Sequence, residues 1–269
     1  MSTKKELRIQ LRKEKFERRK QYAFVIRELT SREIKRRYAR SYLGILWSVL
    51  SPLLYMAVIS LIFSTMFSKT IEKYPLYYLT GNILYSLYVS TTNQAMTALV
   101  DNKMLLIKAK LPKQTFVVSR MYTALVNFGY TCIAYVLMLA VFRAKISLLS
   151  FLFPIAVALL MLLSMGVGYI LSIIYVFFAD INYLYSIFTT LLLFMSAVFY
   201  PVQSLSENLQ KFIMFNPIYL TIYIARECVV YGRVPKLSSW IILVAESVVI
   251  FLLGYFVFRK NENKVMAKV

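Results

Sequence analysis

Arg36, Arg37 and Arg40 fall within five consecutive positions of a chain that contains no histidine. A guanidinium is a planar, permanently charged fork of donors that matches phosphate oxygens. This is binding chemistry, and little in the sequence points to bond-making. Without histidine there is no imidazole base, no histidine-held metal and no imidazole proton relay. Cys132 and Cys228 have no metal or redox spacing, and no disulfide is expected between them, because Cys132 sits in an apolar run and Cys228 outside one. No G-x-x-x-x-G-K-[ST] loop occurs, so ATP hydrolysis by that route is not expected of this chain. Glu246 is the one carboxylate well inside an apolar run, and it reads as hydrogen-bonded within a helix interface. Asp101 and Asp180 stand at the ends of such runs, where they cap or pair. No catalytic residue and no metal ligand is assigned.

The three arginines need a surface to act on, and the residues around them describe one. Leu29-Thr30-Ser31-Arg32-Glu33-Ile34 has the form of a helix start, with Thr30 and Glu33 as a capping box and Leu29 and Ile34 as a staple. An amphipathic helix over 30–42 then sets Ile34, Tyr38, Ser41 and Tyr42 on one face and Arg32, Lys35, Arg36, Arg37 and Arg40 around the rest. Such a helix lies among lipid headgroups with its cations reaching phosphate, or else packs on a protein partner. Residues 1–29 form a basic arm, read as a solvated helix or a disordered tail.

Beyond that helix, long apolar runs decide the solvent. Ser41–Ser68, Tyr74–Val100, Met121–Phe142, Ile146–Ala179 and Ile181–Ser206 carry no charged residue, and Leu237–Phe258 is broken only by Glu246. A lipid-spanning helix needs roughly 20 apolar residues. The fold class expected is an all-α integral membrane protein with six transmembrane helices at about 43–67, 75–99, 120–142, 148–178, 183–200 and 238–258. Hydrophobic residues reach 59%, above the roughly 45–50% of soluble domains, as lipid contact requires.

Of the 32 Lys and Arg, 24 fall on one side of the alternating spans: in the N-terminal arm, in the 101–120 connection and after Phe258. The other eight are Lys69, Lys73, Arg143, Lys145, Lys211, Arg226, Arg233 and Lys236. The bias of positive charge towards the cytoplasm therefore places both termini inside, as an even number of spans also requires. A basic arm beside a span reads as an anchor on anionic membrane lipids, with no nucleic acid implied. A cleavable signal peptide is not expected, because the first uncharged run comes after a long basic segment.

Two connections stand out. Residues 101–112 make a short, basic, amphipathic helix stopped by Pro112, with Met104, Leu105 and Lys108 on one face. It is either a tight loop or a knob that docks into another protein. Residues 201–236 contain Phe212–Ala225, an uncharged stretch interrupted by Asn216-Pro217. It is too short to span and suits a re-entrant or interfacial helix pair. Phe63, Phe67, Tyr74, Tyr77, Tyr78, Phe199 and Tyr200 collect near the outer ends, as headgroup anchors or as the wall of a path for a sugar chain. Ser164, Gly168 and Ser172 form a small-residue stripe that permits close helix approach.

Several of these patterns resemble one family, the permease subunits of type-two ABC exporters for polysaccharides, which include teichoic acid, O-antigen and capsule exporters. The resemblance runs from about Phe24 to the end. Its most specific part is Glu33-Ile34-Lys35-Arg36-Arg37-Tyr38-Ala39-Arg40-Ser41-Tyr42-Leu43-Gly44-Ile45-Leu46-Trp47-Ser48 followed by Ser51-Pro52-Leu53-Leu54, similar to the family's interface helix entering its first span. Asn102–Pro112 stands where the family has a coupling helix. Val198-Phe199-Tyr200-Pro201, Asn216-Pro217 and Arg226 stand where it has external gate helices, between the fifth and sixth spans. Ala179 precedes Asp180 where the family often has Arg-Asp, so no role is given to that loop.

The resemblance implies the rest. The chain would be a transport subunit in the cytoplasmic membrane, not an enzyme, working as a homodimer with a separate ABC ATPase that holds the ATP and Mg. It would export a polyprenyl-linked polysaccharide. Arg36, Arg37, Tyr38, Arg40 and Trp47 would meet the substrate's pyrophosphate headgroup or the interface. Asn102, Met104, Leu105, Ile107 and Lys108 would couple to the ATPase. Tyr55, Phe63, Phe67, Phe199, Tyr200, Pro201, Asn216, Pro217 and Arg226 would form the path and its outer gate. The alternatives are an ABC permease for another lipid or a drug, a membrane-embedded enzyme acting on lipid-linked sugars, and an ion-coupled carrier. The last two want clustered acids or midplane titratable groups, which the spans lack.

Overall fold

The computed structural model describes residues 2–67, 70–108, 111–144 and 147–268, with side chains from residue 20 onward and those of 266–267 excepted. Lys69, Lys110 and Lys145, the basic side chains before residue 20 and the last turn of the segment expected at 101–112 lie partly or wholly outside that description.

All regular structure among the described residues is helical. The first helix, α1, runs from Ser2 to Tyr38 without a break at Thr30. The capping box is therefore not a helix start. The Thr30 hydroxyl donates instead to the carbonyl of Ser119 at 3.2 Å, and Glu33 pairs with Arg120. Tertiary partners have claimed both polar groups that a free helix terminus would have used. After Tyr38 the chain turns through Gly44, whose φ of +48° suits a residue without a Cβ, and enters α2, Leu46–Phe67.

Helices α3 (Tyr74–Asp101), α4 (Lys103–Lys108) and α5 (Gln114–Val141) come next, then α6 (Phe153–Phe177) behind a 3₁₀ turn at Leu148–Leu152. After them stand α7 (Ile181–Met195), α8 (Glu207–Met214) and α9 (Pro217–Ala225), the last running into a π-helical turn, Arg226–Tyr231. The last helix, α10, extends from Leu237 to Lys268. Proline opens α3, α6 and α9, where its missing N–H would have had no partner anyway.

Among the described residues, four helices are long and apolar enough to cross a bilayer: Leu46–Phe67, Gln114–Val141, Leu148–Phe177 and Leu237–Val265. The pair formed by α8 and Pro217–Tyr231, bent by 90°, would make a fifth if taken as one span. Two of the six expected spans differ for separate reasons. Helix α3 has the length, at 28 residues, but its tyrosines, threonines and amides lower its hydropathy. It can carry them because it sits in the middle, packed by α2, α5, α6 and α9. Its buried hydroxyls bond within the protein: Thr80 donates to Leu76 O and Thr92 to Tyr88 O. Helix α7 stops at Met195 after 15 residues, short of the expected Tyr200.

Helices α6 and α10 form the tightest crossing. A Cβ added to Gly254 would stand 2.7 Å from Gly166 Cα, and one added to Gly166 would stand 2.7 Å from Phe251 Cα. The two backbones touch, a close approach open only to glycine. The expected stripe of Ser164, Gly168 and Ser172 is buried, and Gly168 faces Ala95 of α3. The Gly166–Gly254 crossing escaped notice in the sequence because 88 residues separate its halves.

The helices alternate between two ends. One gathers the last turns of α1, the end of α3, α4, the start of α5 and the end of α10, where Lys113 Nζ donates to the carbonyl of Glu262. This basic end has its own apolar core of Leu106, Phe116, Tyr169, Phe258 and Val265. Glu246, expected to bond within a helix interface, has Oε2 buried with no hydrogen-bond partner among the described residues.

Gly254→Leu should lower stability by roughly 1–3 kcal/mol or more through overpacking. Gly129→Leu, at a site with open space, should change it little. Thermal unfolding in detergent measures both.

Candidate functional site

At the basic end Arg120 is the junction. Only 8% exposed, it reaches Glu33 Oε1 at 2.5 Å with one amino group and Asp101 Oδ2 at 3.0 Å with the other. Three helices are joined by one guanidinium, and the planar fork suits two carboxylates approaching from different sides. Asp101 also accepts the Thr97 hydroxyl at 2.8 Å. Beside this junction Arg32 donates to Asn102 Oδ1 at 2.7 Å, while Asn102 Nδ2 donates to Ala98 O at 2.8 Å. Arg120 counts in the sequence only as one positive charge in a loop; its position seven residues into α5, as the one charged residue of that helix, is the available signal.

This junction holds α4 in place. The carbonyl of Asn102 accepts from the N–H groups of Leu105 and Leu106, and Leu106 is buried in the core of the basic end. Anchored there, α4 turns Met104 (64% exposed) and Ile107 (57%) outward beside exposed Lys103 and Lys108. Leu105 is half-buried. Asn102, grouped in the sequence with the outward residues, is buried and ties α3 to α1.

Arg36, Arg37 and Arg40 are exposed, with no ion-pair partner among the described residues. Arg36 and Arg37 border a cavity of about 390 Å³ whose other wall includes Gln94, Arg120 and Thr123. Their helix is tied to α5 on its other side. Thr30 meets Ser119 and Tyr38 meets Asn127, each pair 89 residues apart, so the two helices run side by side in one direction. The Tyr38 hydroxyl donates to Asn127 Oδ1 at 3.1 Å and therefore receives its 2.7 Å bond from Ser48 Oγ. Nearby, Pro52 inside α2 has no N–H for the carbonyl of Ser48, and the Thr131 hydroxyl donates to that oxygen from α5 at 3.3 Å.

The opposite end is organised by Arg226. It is 3% exposed, and its guanidinium lies 3.3 Å from the Tyr77 ring centroid. Nε donates to Tyr77 O at 3.1 Å, and the two amino groups donate to Ala197 O and Val198 O at 3.0 Å each. The next two carbonyls are taken as well. Tyr74 donates to Phe199 O at 2.7 Å and Tyr77 to Tyr200 O at 2.8 Å. Asn216 Nδ2 reaches Met195 O at 3.1 Å while its Oδ1 caps α9 by accepting from Ile218 N. The chain after α7 thus leaves helical geometry with its carbonyls supplied by side chains, including a strained turn at Ala197, φ +48°. Gly81 makes room: a Cβ there would lie 2.7 Å from the Arg226 amino group.

Aromatic rings close round this turn. Phe199 stacks on Phe63 at 6.3 Å and on Tyr78 at 5.7 Å, and Phe63 stacks on Phe67. Pro201 is buried beside Arg226 and Tyr77 at a cavity of about 300 Å³. Of the residues expected in a path and gate, Phe63, Phe67, Phe199, Tyr200, Pro201, Asn216, Pro217 and Arg226 are thus gathered at one end. Tyr55 is not; it lies exposed in a groove with Trp47.

The family model described as "ABC-2 type transporter" matches residues 25–230, from the last third of α1 through the Arg226 turn. The chain belongs to the ABC-2 type transporter family. It is 26% identical to the O-antigen export system permease protein RfbA of Myxococcus xanthus over 247 residues, covering 91% of this chain and 95% of that one. It is 24% identical to the polysialic acid transport protein KpsM of Escherichia coli over 247 residues, with 90% and 95% covered. The RfbA permease of Klebsiella pneumoniae is 24% identical over 234 residues, with 86% and 90% covered.

The ABC-2 match contains both pinned ends, the Arg120 junction and the Arg226 turn. Arg226→Met should cost about 3 kcal/mol or more, since three carbonyls lose their donor at a buried site. Arg226→Lys should recover part of that loss. The order of melting temperatures in detergent, wild type above Lys above Met, checks the assignment.

Proposed function

We propose that this chain is the membrane permease of an ATP-driven exporter that moves a lipid-linked polysaccharide, of teichoic acid, O-antigen or capsule type, out of the cytoplasm. The observation that carries the reading is the near full-length match to permeases named for O-antigen export and to a polysialic acid transport protein. The chain's own chemistry supports it: arginines free for phosphate, no histidine and no phosphate loop. The energy would come from a separate ABC ATPase holding ATP and Mg, and this chain would not be an enzyme. Met104, Ile107 and Lys108 on α4 would contact that ATPase, with Leu105 and Asn102 holding the helix in position.

The proposed topology has six crossings with both termini in the cytoplasm. Helix α3 serves as a crossing shielded by its neighbours, α7 as a short crossing completed by the Arg226-held turn, and the bent α8–α9 pair as a re-entrant outer gate. The charge bias, 24 basic residues against eight, supports this orientation. Helices α2 and α7 keep rows of exposed apolar side chains, among them Leu54, Leu61, Ile187 and Leu191, for lipid or a second copy of the chain. A homodimer would place the path between two such halves. Arg36, Arg37 and Arg40 would receive the diphosphate of the carrier lipid.

The triple change of Arg36, Arg37 and Arg40 to Ala should lower surface polymer in the host about tenfold or more while membrane level and dimer size stay constant; unchanged polymer would remove the arginines from substrate entry. Met104→Asp with Ile107→Asp should abolish co-purification of the partner ABC ATPase, and retained co-purification would detach α4 from that role.

A further inference from the structure

Asn127 lies roughly 20 Å along α5 from Gln114, at 1.5 Å per residue, near the middle of a crossing helix. It is 8% exposed. Its Oδ1 is occupied by Tyr38, and its Nδ2 is buried without a partner among the described residues. A buried donor left unpaired is costly, and a ligand that accepts from it relieves the cost. The amide lines a groove of about 360 Å³ between α2, α3, α5 and the end of α1.

The α3 wall of the groove sets a regular polar row beside apolar Ile83 and Leu87. Asn82, Ser86 and Ser90 recur every four residues along the groove face of α3, and Gln94 carries the row into the arginine-bordered cavity at the basic end. Gln94 Nε2 donates to Ser90 Oγ at 2.7 Å, so the row is continuous. Arg37 borders both the groove and that cavity. On the α2 side stand Ser51 and two exposed aromatic side chains, Trp47 (46%) and Tyr55 (65%). Hydroxyls and amides spaced along one wall, aromatic faces along the other and a guanidinium at one end suit a ligand with many hydroxyls, apolar ring faces and a neighbouring phosphate. A plain phospholipid headgroup meets only the last of these.

We propose that this groove binds the sugar residue nearest the phosphate of a lipid-linked glycan, with Asn127 Nδ2 donating to a sugar hydroxyl. Asn82 and Ser86 meet further hydroxyls, Trp47 and Tyr55 cover ring faces, and Arg37 meets the phosphate. The assignment rests on the export reading and adds to it a place where a sugar, as distinct from a phosphate, is recognised.

The chain has two tryptophans, so Trp240→Phe leaves Trp47 as the only one and makes its fluorescence a reporter of the groove. The full-length protein in lipid nanodiscs is titrated with undecaprenyl diphosphate and with undecaprenyl diphosphate bearing one N-acetylglucosamine. Native mass spectrometry of bound lipid provides a second readout. The sugar-bearing lipid should bind about tenfold more tightly. Asn127→Leu and Ser86→Leu should each erase that preference without weakening the sugar-free lipid. Ser86 is exposed, and on loss of the Asn127 acceptor Tyr38 keeps its bond to Ser48 Oγ, so thermal unfolding of both variants in detergent, expected within a few degrees of the wild type, accompanies the titration. Arg37→Ala should weaken both lipids alike. Equal binding of the two lipids, or a preference that survives both leucine variants, overturns the groove assignment; if Arg37→Ala still weakens both, the export reading stands. Failure of either lipid to bind, together with unchanged surface polymer in a strain lacking this chain, overturns the export reading and the groove with it.

Discussion

A backbone carbonyl that leaves helical geometry inside a packed fold must be given another donor, and the stretch after α7 presents several of them in succession. Met195, Ala197, Val198, Phe199 and Tyr200 each direct a carbonyl at a side chain: Asn216, Arg226 twice, Tyr74 and Tyr77. Those donors come from α3 and from the α8–α9 pair and its π-helical turn. The constraint therefore ties together three parts of the chain that are far apart in sequence. It explains why α7 can stop early, why Ala197 tolerates a left-handed φ, and why a permanently charged side chain is buried with no carboxylate against it. Three oriented carbonyl dipoles and the face of Tyr77 do the work a counter-ion would do.

The basic end solves a different problem with the same side chain. There Arg120 binds two carboxylates, and the result is a rigid base from which α4 projects. Between these two fixed ends lies a groove lined by both apolar and polar side chains, in which the Asn127 amide nitrogen has no partner among the described residues. A molecule built for transport needs rigid ends, so that work done at one end is felt at the other, and a polar surface between them that is not already satisfied.

Much of the architecture was legible in the sequence. Apolar run length showed the lipid-crossing character, and the oily, Asn216-Pro217-broken stretch marked a bent helix pair that the structure turns through 90°. Thr30 and Glu33 misled because a capping box and a pair of interhelical contacts use the same residue types; only the presence of Ser119 and Arg120 beside them decides which forms. Arg226 was singled out, but its hydrogen-bond partners lie about 30 and 150 residues away, and no local pattern encodes them. Asn102 looked like a surface residue because its neighbours on α4 are exposed.

By itself the sequence determined the lipid-crossing character and the helical class, because each depends on totals over a run, such as apolar length against bilayer thickness. The tertiary structure alone decided which polar groups are spent holding the protein together, as Asn127 Oδ1 is, and which have no partner among the described residues, as Asn127 Nδ2. A polar side chain's role depends on whether a partner lies within about 3 Å, and that distance is set by how helices remote in sequence pack.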